Sequence, residues 1–217
     1  MRYTHTYRML LILLLIVVLL LLNLLLGSVS IPAQSIWNIL TGAGNEPVSW
    51  QNIVWKSRLP QALTALAAGA GLAVSGLQMQ TVFRNPLAGP SVLGISSGAS
   101  MGVAFVILLS GSLGGVALSR LGVMGEIALS VAAIIGSLSV MALIVYVSQK
   151  VKGNVTLLII GVMIGYVSNA VIGVLKFFSV EEDIRAYVIW GLGSFSRVSG
   201  NQMMLFVTLM AILLPLS

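Results

Sequence analysis

Residues 9–26, MLLILLLIVVLLLLNLLL, form an apolar run whose only polar member is Asn23. At about 1.5 Å per residue a helix of this length reaches about 27 Å, close to the roughly 30 Å hydrocarbon core of a bilayer. A cleaved signal peptide is the competing reading, because Arg2 and Arg8 make a basic leading flank. The apolar part of a signal is usually about 7–15 residues long and ends at a small-x-small site. Neither property holds here, so the run is read as a retained span.

Four further stretches have spanning length, 62–83, about 92–113, 127–147 and 155–178, and a sixth begins near Met203 and is cut off at Ser217. Their length and lack of strict alternation suit helices; barrel strands would be near ten residues. The expected fold is an all-α polytopic membrane protein, with five full transmembrane helices and a truncated sixth in a single domain over 1–217. The intervening segments, 27–61, 84–91, 114–126, 148–154 and 179–202, read as connections. Composition agrees: 7% of residues are charged and 58% hydrophobic, whereas soluble domains carry about a quarter charged residues. A soluble globular domain and a disordered chain are both excluded.

The net charge of +6 comes from Lys and Arg scattered singly. A nucleic-acid surface needs them clustered, so no nucleic-acid partner is expected and the charges are read as flanks of spans in lipid. An N-terminus inside puts Arg2, Arg8, Arg84, Lys150 and Lys152 in the cytoplasm, and Lys56, Arg58, Arg120, Lys176, Arg185 and Arg197 outside. The totals do not decide. The first span carries two Arg before it and no Lys or Arg after it until Lys56, which favours a cytoplasmic N-terminus.

Catalytic chemistry is poorly served. Cysteine is absent and His5 is the single histidine, so thiolate sites, imidazole-pair metal sites and a Ser-His-Asp relay are excluded. No G-x-x-x-x-G-K-[ST] loop occurs, and Gly69-Ala70-Gly71 is followed by Val74 where a dinucleotide fingerprint needs glycine. Catalytic residues, cofactors and metals are therefore not expected. Glu181, Glu182 and Asp183 form the one carboxylate cluster, read as a solvated helix start ahead of metal binding.

Two patterns carry more. Gly161, Gly165, Asn169 and Gly173 recur every four residues and drift about 40° per step, a slowly winding stripe that permits close backbone approach. It suits internal packing, a subunit interface or a substrate path. From Arg58 to Ala99 the chain reads RLPQALTALAAGAGLAVSGLQMQTVFRNPLAGPSVLGISSGA. Pro60 stands where a helix begins, and Pro86 turns Asn85 away from helical geometry, ending a span near Phe83. Pro90 and Gly94 prolong the break, as a stiff inter-helix turn or as a hinge for alternating access.

This stretch resembles the FecCD family, permease subunits of importers for iron-siderophores, haem and vitamin B12. Arg58-Leu59-Pro60 matches its R-L-P-R opening. Gln80, Asn85, Pro86, Leu87, Ala88 and Pro90 match Q-x-x-x-x-N-P-L-A-x-P, and Leu93, Gly94, Gly98 and Ala99 match L-G-x-x-x-G-A. Trp190, Gly193 and Ser194 resemble a later W-x-x-G-S block. The resemblance implies the N-terminal half of a ten-helix permease in the cytoplasmic membrane, paired with a second permease subunit. Two cytoplasmic ATPases and an extracytoplasmic substrate-binding protein complete the assembly it implies. It also implies that Arg58, with Lys56 nearby, meets acidic groups of the binding protein, and that the helix bearing the Gly161 stripe borders the pathway and the subunit interface. Gln61 departs from the second Arg of R-L-P-R, and the family's ATPase-gripping segment follows the sixth span. The competing functions are a polytopic enzyme acting on lipid or isoprenoid, and a truncated assembly protein with no transport of its own.

Overall fold

In the structure, a computed structural model that describes residues 2–112, 123–151, 153–196, 198 and 200–216, every regular element among the described residues is helical. They are α1 (Arg2–Leu25), α2 (Ala33–Thr41), α3 (Val48–Ile53), a π turn (Val54–Arg58), α4 (Leu59–Phe83), a 3-10 turn (Pro90–Leu93), α5 (Ile95–Ser112), α6 (Val123–Ser148), α7 (Asn154–Phe177), α8 (Glu181–Gly191) and α9 (Gly200–Leu216). Four helical stretches are long and apolar enough to cross a membrane: Thr6–Leu25, Val48–Phe83, Met124–Ser148 and Val155–Phe177. Most of the expected 114–126 connection, with Arg120, lies outside the described residues, as do Lys152 and Arg197.

Three expectations are corrected. The stretches 27–61 and 179–202 are not plain connections, because they hold α2, α3 and α8. These helices bury one side only, through Ile36 and Ile39 of α2 and Tyr187 of α8, too little apolar surface to register as spans. The span expected from about residue 92 begins at Ile95, since Val92 and Leu93 belong to the 3-10 turn closed by Gly94. At 18 residues, α5 is about 27 Å long. Finally, Pro60 does not start a helix. It sits in a continuous 36-residue helical stretch, Val48–Phe83, where its ring would collide with the carbonyl four residues back. The π turn just before it, with the Leu59 N–H bonded to the Val54 carbonyl, supplies the extra residue that relieves this crowding.

The described residues form two compact units, one from Met1–Gly71 and Phe195–Ser217, the other from Leu72–Ser194. In the first, α1 is almost wholly exposed along its apolar length, as a lipid-facing helix should be. Beyond its end Ile31, Ile36, Ile39 and Val54 close a small core, with Leu25, Leu40, Trp50 and Ile53 packed against it. Between α2 and α3, the Asn38 amide donates to the Glu46 carboxylate (2.9 Å) and Gln51 Nε2 to the Glu46 carbonyl (2.9 Å).

In the second unit α5 is central and packs against α6, α7 and α8. Val103, Ala104, Ile107 and Leu108 of α5 meet Ile172 of α7 and Tyr187 of α8. A second cluster joins Phe83, Ala88 and Leu93 to Val140 and Ile144 of α6. Gly98 and Gly102 of α5 face Gly136 of α6 so closely that a methyl group on any of the three would strike the other helix's backbone. In lipid, where apolar burial gives helices little reason to associate, such contact is a principal source of cohesion.

Candidate functional site

The first candidate group sits on the π turn. Its five residues expose Lys56 and bury Arg58, whose residue exposure is 6%. The Arg58 Nη1 donates to the carbonyls of Leu24 (2.6 Å) and Leu25 (3.1 Å), and Nη2 donates to the carbonyl of Val29. The guanidinium expected at an outer rim is thus turned inward onto the end of α1. Gln61, where R-L-P-R has its second Arg, is half-buried and donates to Ser57 Oγ (2.9 Å). Lys56 is the cation this turn leaves open.

The second group is the break between α4 and α5. Arg84, just past the end of α4, lies in the left-handed region, φ 48°, and the Asn85 N–H reaches back to the Gln80 carbonyl (3.1 Å). Asn85 Oδ1 accepts the Leu87 N–H (2.9 Å), and the Asn85 carbonyl accepts the Ala88 N–H (3.1 Å). Pro86 is exposed within this Asx-type turn. Pro90 then opens the 3-10 turn, whose missing N–H is harmless at a helical first position. Gly94 closes it at φ 75°, a conformation costly for a side chain. A Cβ there would also lie 2.8 Å from the Gly161 carbonyl. Asn85, Pro86, Pro90 and Gly94 therefore make one compact turn with every bend specified.

The Gly161 stripe divides in two. Gly161 is buried with Val92 and Leu93 backbone against it, and Gly165 meets Ser97 Oγ. Asn169 and Gly173 are exposed, and nothing lies within 4 Å of a Cβ built on Gly173. The drift of about 40° per step explains this, since three steps carry the stripe about 120° around α7 and off its packed face. Sequence reasoning joined four residues that the structure assigns to two surfaces.

The acidic cluster does begin a helix, α8, but Asp183 is not solvated: it is buried, and its Oδ2 has no hydrogen-bond partner. Burial, and then the neighbouring Glu182 charge, push its carboxyl above the usual 3.8. One turn on, Tyr187 packs against Val103, Ala104, Ile107 and Leu108 of α5 and lies beneath Lys176 Nζ, 4.8 Å from its ring centroid. Burial pushes the Tyr187 phenol above its usual 10.0. The second unit thus pins α8 to α5 and α7. Sequence reasoning also missed Gly27, where a Cβ would lie 2.7 Å from Arg58 Nη2; its one signal is its place just after the first apolar run.

The sequence model of the FecCD transport family matches residues 14–217. The chain belongs to the FecCD transport family. Its relatives include the vitamin B12 import system permease protein BtuC of Pectobacterium atrosepticum, 35% identical over 79% of this chain and 50% of the relative. The hemin transport system permease protein HmuU of Yersinia pestis is 34% identical over 82% of this chain and 50% of its own length. This FecCD chain thus spans about half the length of the curated relatives it matches. A solved structure, described as a metal-chelate type ABC transporter in an inward-facing conformation, superposes with a TM-score of 0.70 at 29% identity, covering 94% of this chain and 60% of that one. The all-helical FecCD chain therefore has the fold of an ABC transporter permease over its described residues.

Proposed function

We propose that this chain forms the membrane-spanning permease part of an ATP-driven importer for a metal chelate, of the class that includes iron-siderophores, haem and cobalamin. The observation that carries this reading is the family match over residues 14–217. The fully specified turn from Arg84 to Gly94 lies within it and supports it further. In this reading α1, α4, α5, α6 and α7 cross the cytoplasmic membrane as five spans, α9 is the sixth, and the N-terminus is cytoplasmic. ATP hydrolysis belongs to separate cytoplasmic subunits, and the chain itself carries no catalytic centre. A second permease subunit faces it across the pathway.

The roles divide along the geometry. Lys56 is the exposed cation for an acidic patch of an extracytoplasmic binding protein, with Arg58 beside it on the same turn. Asn85, Pro86, Pro90 and Gly94 form the stiff turn that joins α4 to α5 and, through Gly94, seats it against Gly161. Asn169 and Gly173 offer a small, polar, open surface to the pathway or to the second subunit, while Gly161 and Gly165 serve internal packing. A mid-span amide such as Asn169 is costly against lipid, which favours a wet or protein-lined surrounding. The test is uptake into proteoliposomes carrying the intact transporter that contains this chain, with ferric siderophore, haem and cobalamin offered in turn. ATP-dependent accumulation of one of them is expected. No uptake of any chelate by a transporter with active ATPases would overturn the assignment.

A further inference from the structure

We propose that Arg58 is a positioning residue: it closes the C-terminal end of α1 and locks the Val29–Trp55 segment in place, and Gly27 is the seat that admits its guanidinium. The last carbonyls of any helix lack intrahelical donors and carry the negative end of the helix dipole. At this end of α1 the Leu26 N–H donates to the Leu22 carbonyl (2.8 Å). Beyond it Leu24 and Leu25 offer open carbonyls, and Arg58 Nη1 takes both. Nη2 takes Val29, past the helix end. One planar fork thereby ties the helix terminus, the chain leaving it and the base of α4 together. A buried cation needs such partners, and a guanidinium supplies donors in a fixed fork that an ammonium lacks.

Gly27 bears on the same contact from the other side. A Cβ at Gly27 would lie 2.7 Å from Arg58 Nη2 and 3.0 Å from both Cζ and Nε. The far end of an arginine can often swing away, but this one is buried and bonded to the Leu24, Leu25 and Val29 carbonyls, so swinging away breaks those bonds. The core that follows, Ile31, Ile36, Ile39 and Val54, is assembled on the chain this fork holds. Lys56, two residues before Arg58, is carried by the same turn. Arg58 then also bears on docking through where it holds that turn. That last consequence rests on the docking reading proposed above; the clamp stands without it.

The clamp and an exposed-charge role give opposite results for variants that keep the charge. In this cysteine-free chain, Ile31→Cys places a thiol at a position only 5% exposed, and its rate of reaction with N-ethylmaleimide in membranes reports opening of the segment. Gly27→Ala and Arg58→Lys, each added to Ile31→Cys, should raise that rate about tenfold, because local opening becomes cheaper. Combining the two should add little beyond either alone, since both remove the same contact. Arg58→Lys, the milder change, keeps the measurement available if Gly27→Ala accumulates poorly. Association of the intact transporter with its binding protein is measured alongside. Faster labelling with unchanged association supports the clamp and removes the docking reading. Labelling that stays at the Ile31→Cys rate in both Gly27→Ala and Arg58→Lys overturns the clamp.

Discussion

Lys56 and Arg58 stand two positions apart on one π turn, yet one faces out and the other is folded under the chain. Exposed charges steer an approaching partner over a distance set by salt, about 30 Å at 0.01 M and about 8 Å at 0.15 M. If Lys56 meets a binding protein as proposed, Lys56→Glu is expected to slow that association several-fold at low ionic strength and little at high, as a salt series of association rates will show. Equal slowing at all salt concentrations would mean that Lys56 acts by contact and not by steering. Asp183 is the converse case, a carboxylate placed where water and donors are scarce. Because its proton is held more tightly in the folded chain, its contribution to stability is full below the unfolded value of 3.8 and is lost as pH rises through the higher folded value. Asp183→Asn removes that loss. Melting temperatures in detergent from about pH 4 to 7 should vary less in Asp183→Asn than in the parent, and identical pH profiles would show that Asp183 is solvated.

At the scale of elements, the long apolar runs were legible because spanning length is a strong signal, and α4 ends at Phe83 where Asn85-Pro86 demands it. Helices α2 and α8 were not, since at 9 and 11 residues with one apolar side each they look like polar connections. The π turn was illegible for a different reason: Pro60 reads equally well as a helix start or as a residue accommodated inside one. For the Gly161 stripe, its period was plain, but which part faces the protein depends on where Val92 and Leu93 come to rest. Gly161→Leu would drive a side chain into Leu93 Cα and the Val92 carbonyl, each 2.7 Å from a Cβ at that position. Overpacking against backbone costs about 1–3 kcal/mol or more. Gly161→Leu should therefore lower the melting temperature of the chain alone. Gly173→Leu, with open space around it, should melt like the parent and lose function only in the assembled transporter. Thermal melting of each variant, paired with uptake, separates the two; equal loss of stability at both positions would mean the stripe packs internally along its whole length.

For the whole molecule, the side of the membrane that each helix end occupies follows from the direction of the first crossing, which Arg2 and Arg8, ahead of the first apolar run, bias toward a cytoplasmic N-terminus. The structure sharpens the choice of reporters. Asn45 is exposed beside Glu46, whose carboxylate is held by Asn38, so a thiol at 45 disturbs no bond, whereas one at 46 would. Lys150 is exposed at the far end of α6, with its ammonium 2.6 Å from the Tyr146 hydroxyl and over that ring. An exposed cation–π contact is worth about 0.5–1 kcal/mol, so Lys150→Cys will still fold. With a cytoplasmic N-terminus, α1 carries the chain out, α4 returns it, α5 leaves again and α6 comes back. Asn45 is then outside and Lys150 inside. In intact cells an impermeant maleimide should label Asn45→Cys and spare Lys150→Cys until the cells are opened. The reverse pattern would invert the topology, and with it the proposal that Lys56 meets an extracytoplasmic protein, because Lys56 and Asn45 lie on the same side of the first crossing.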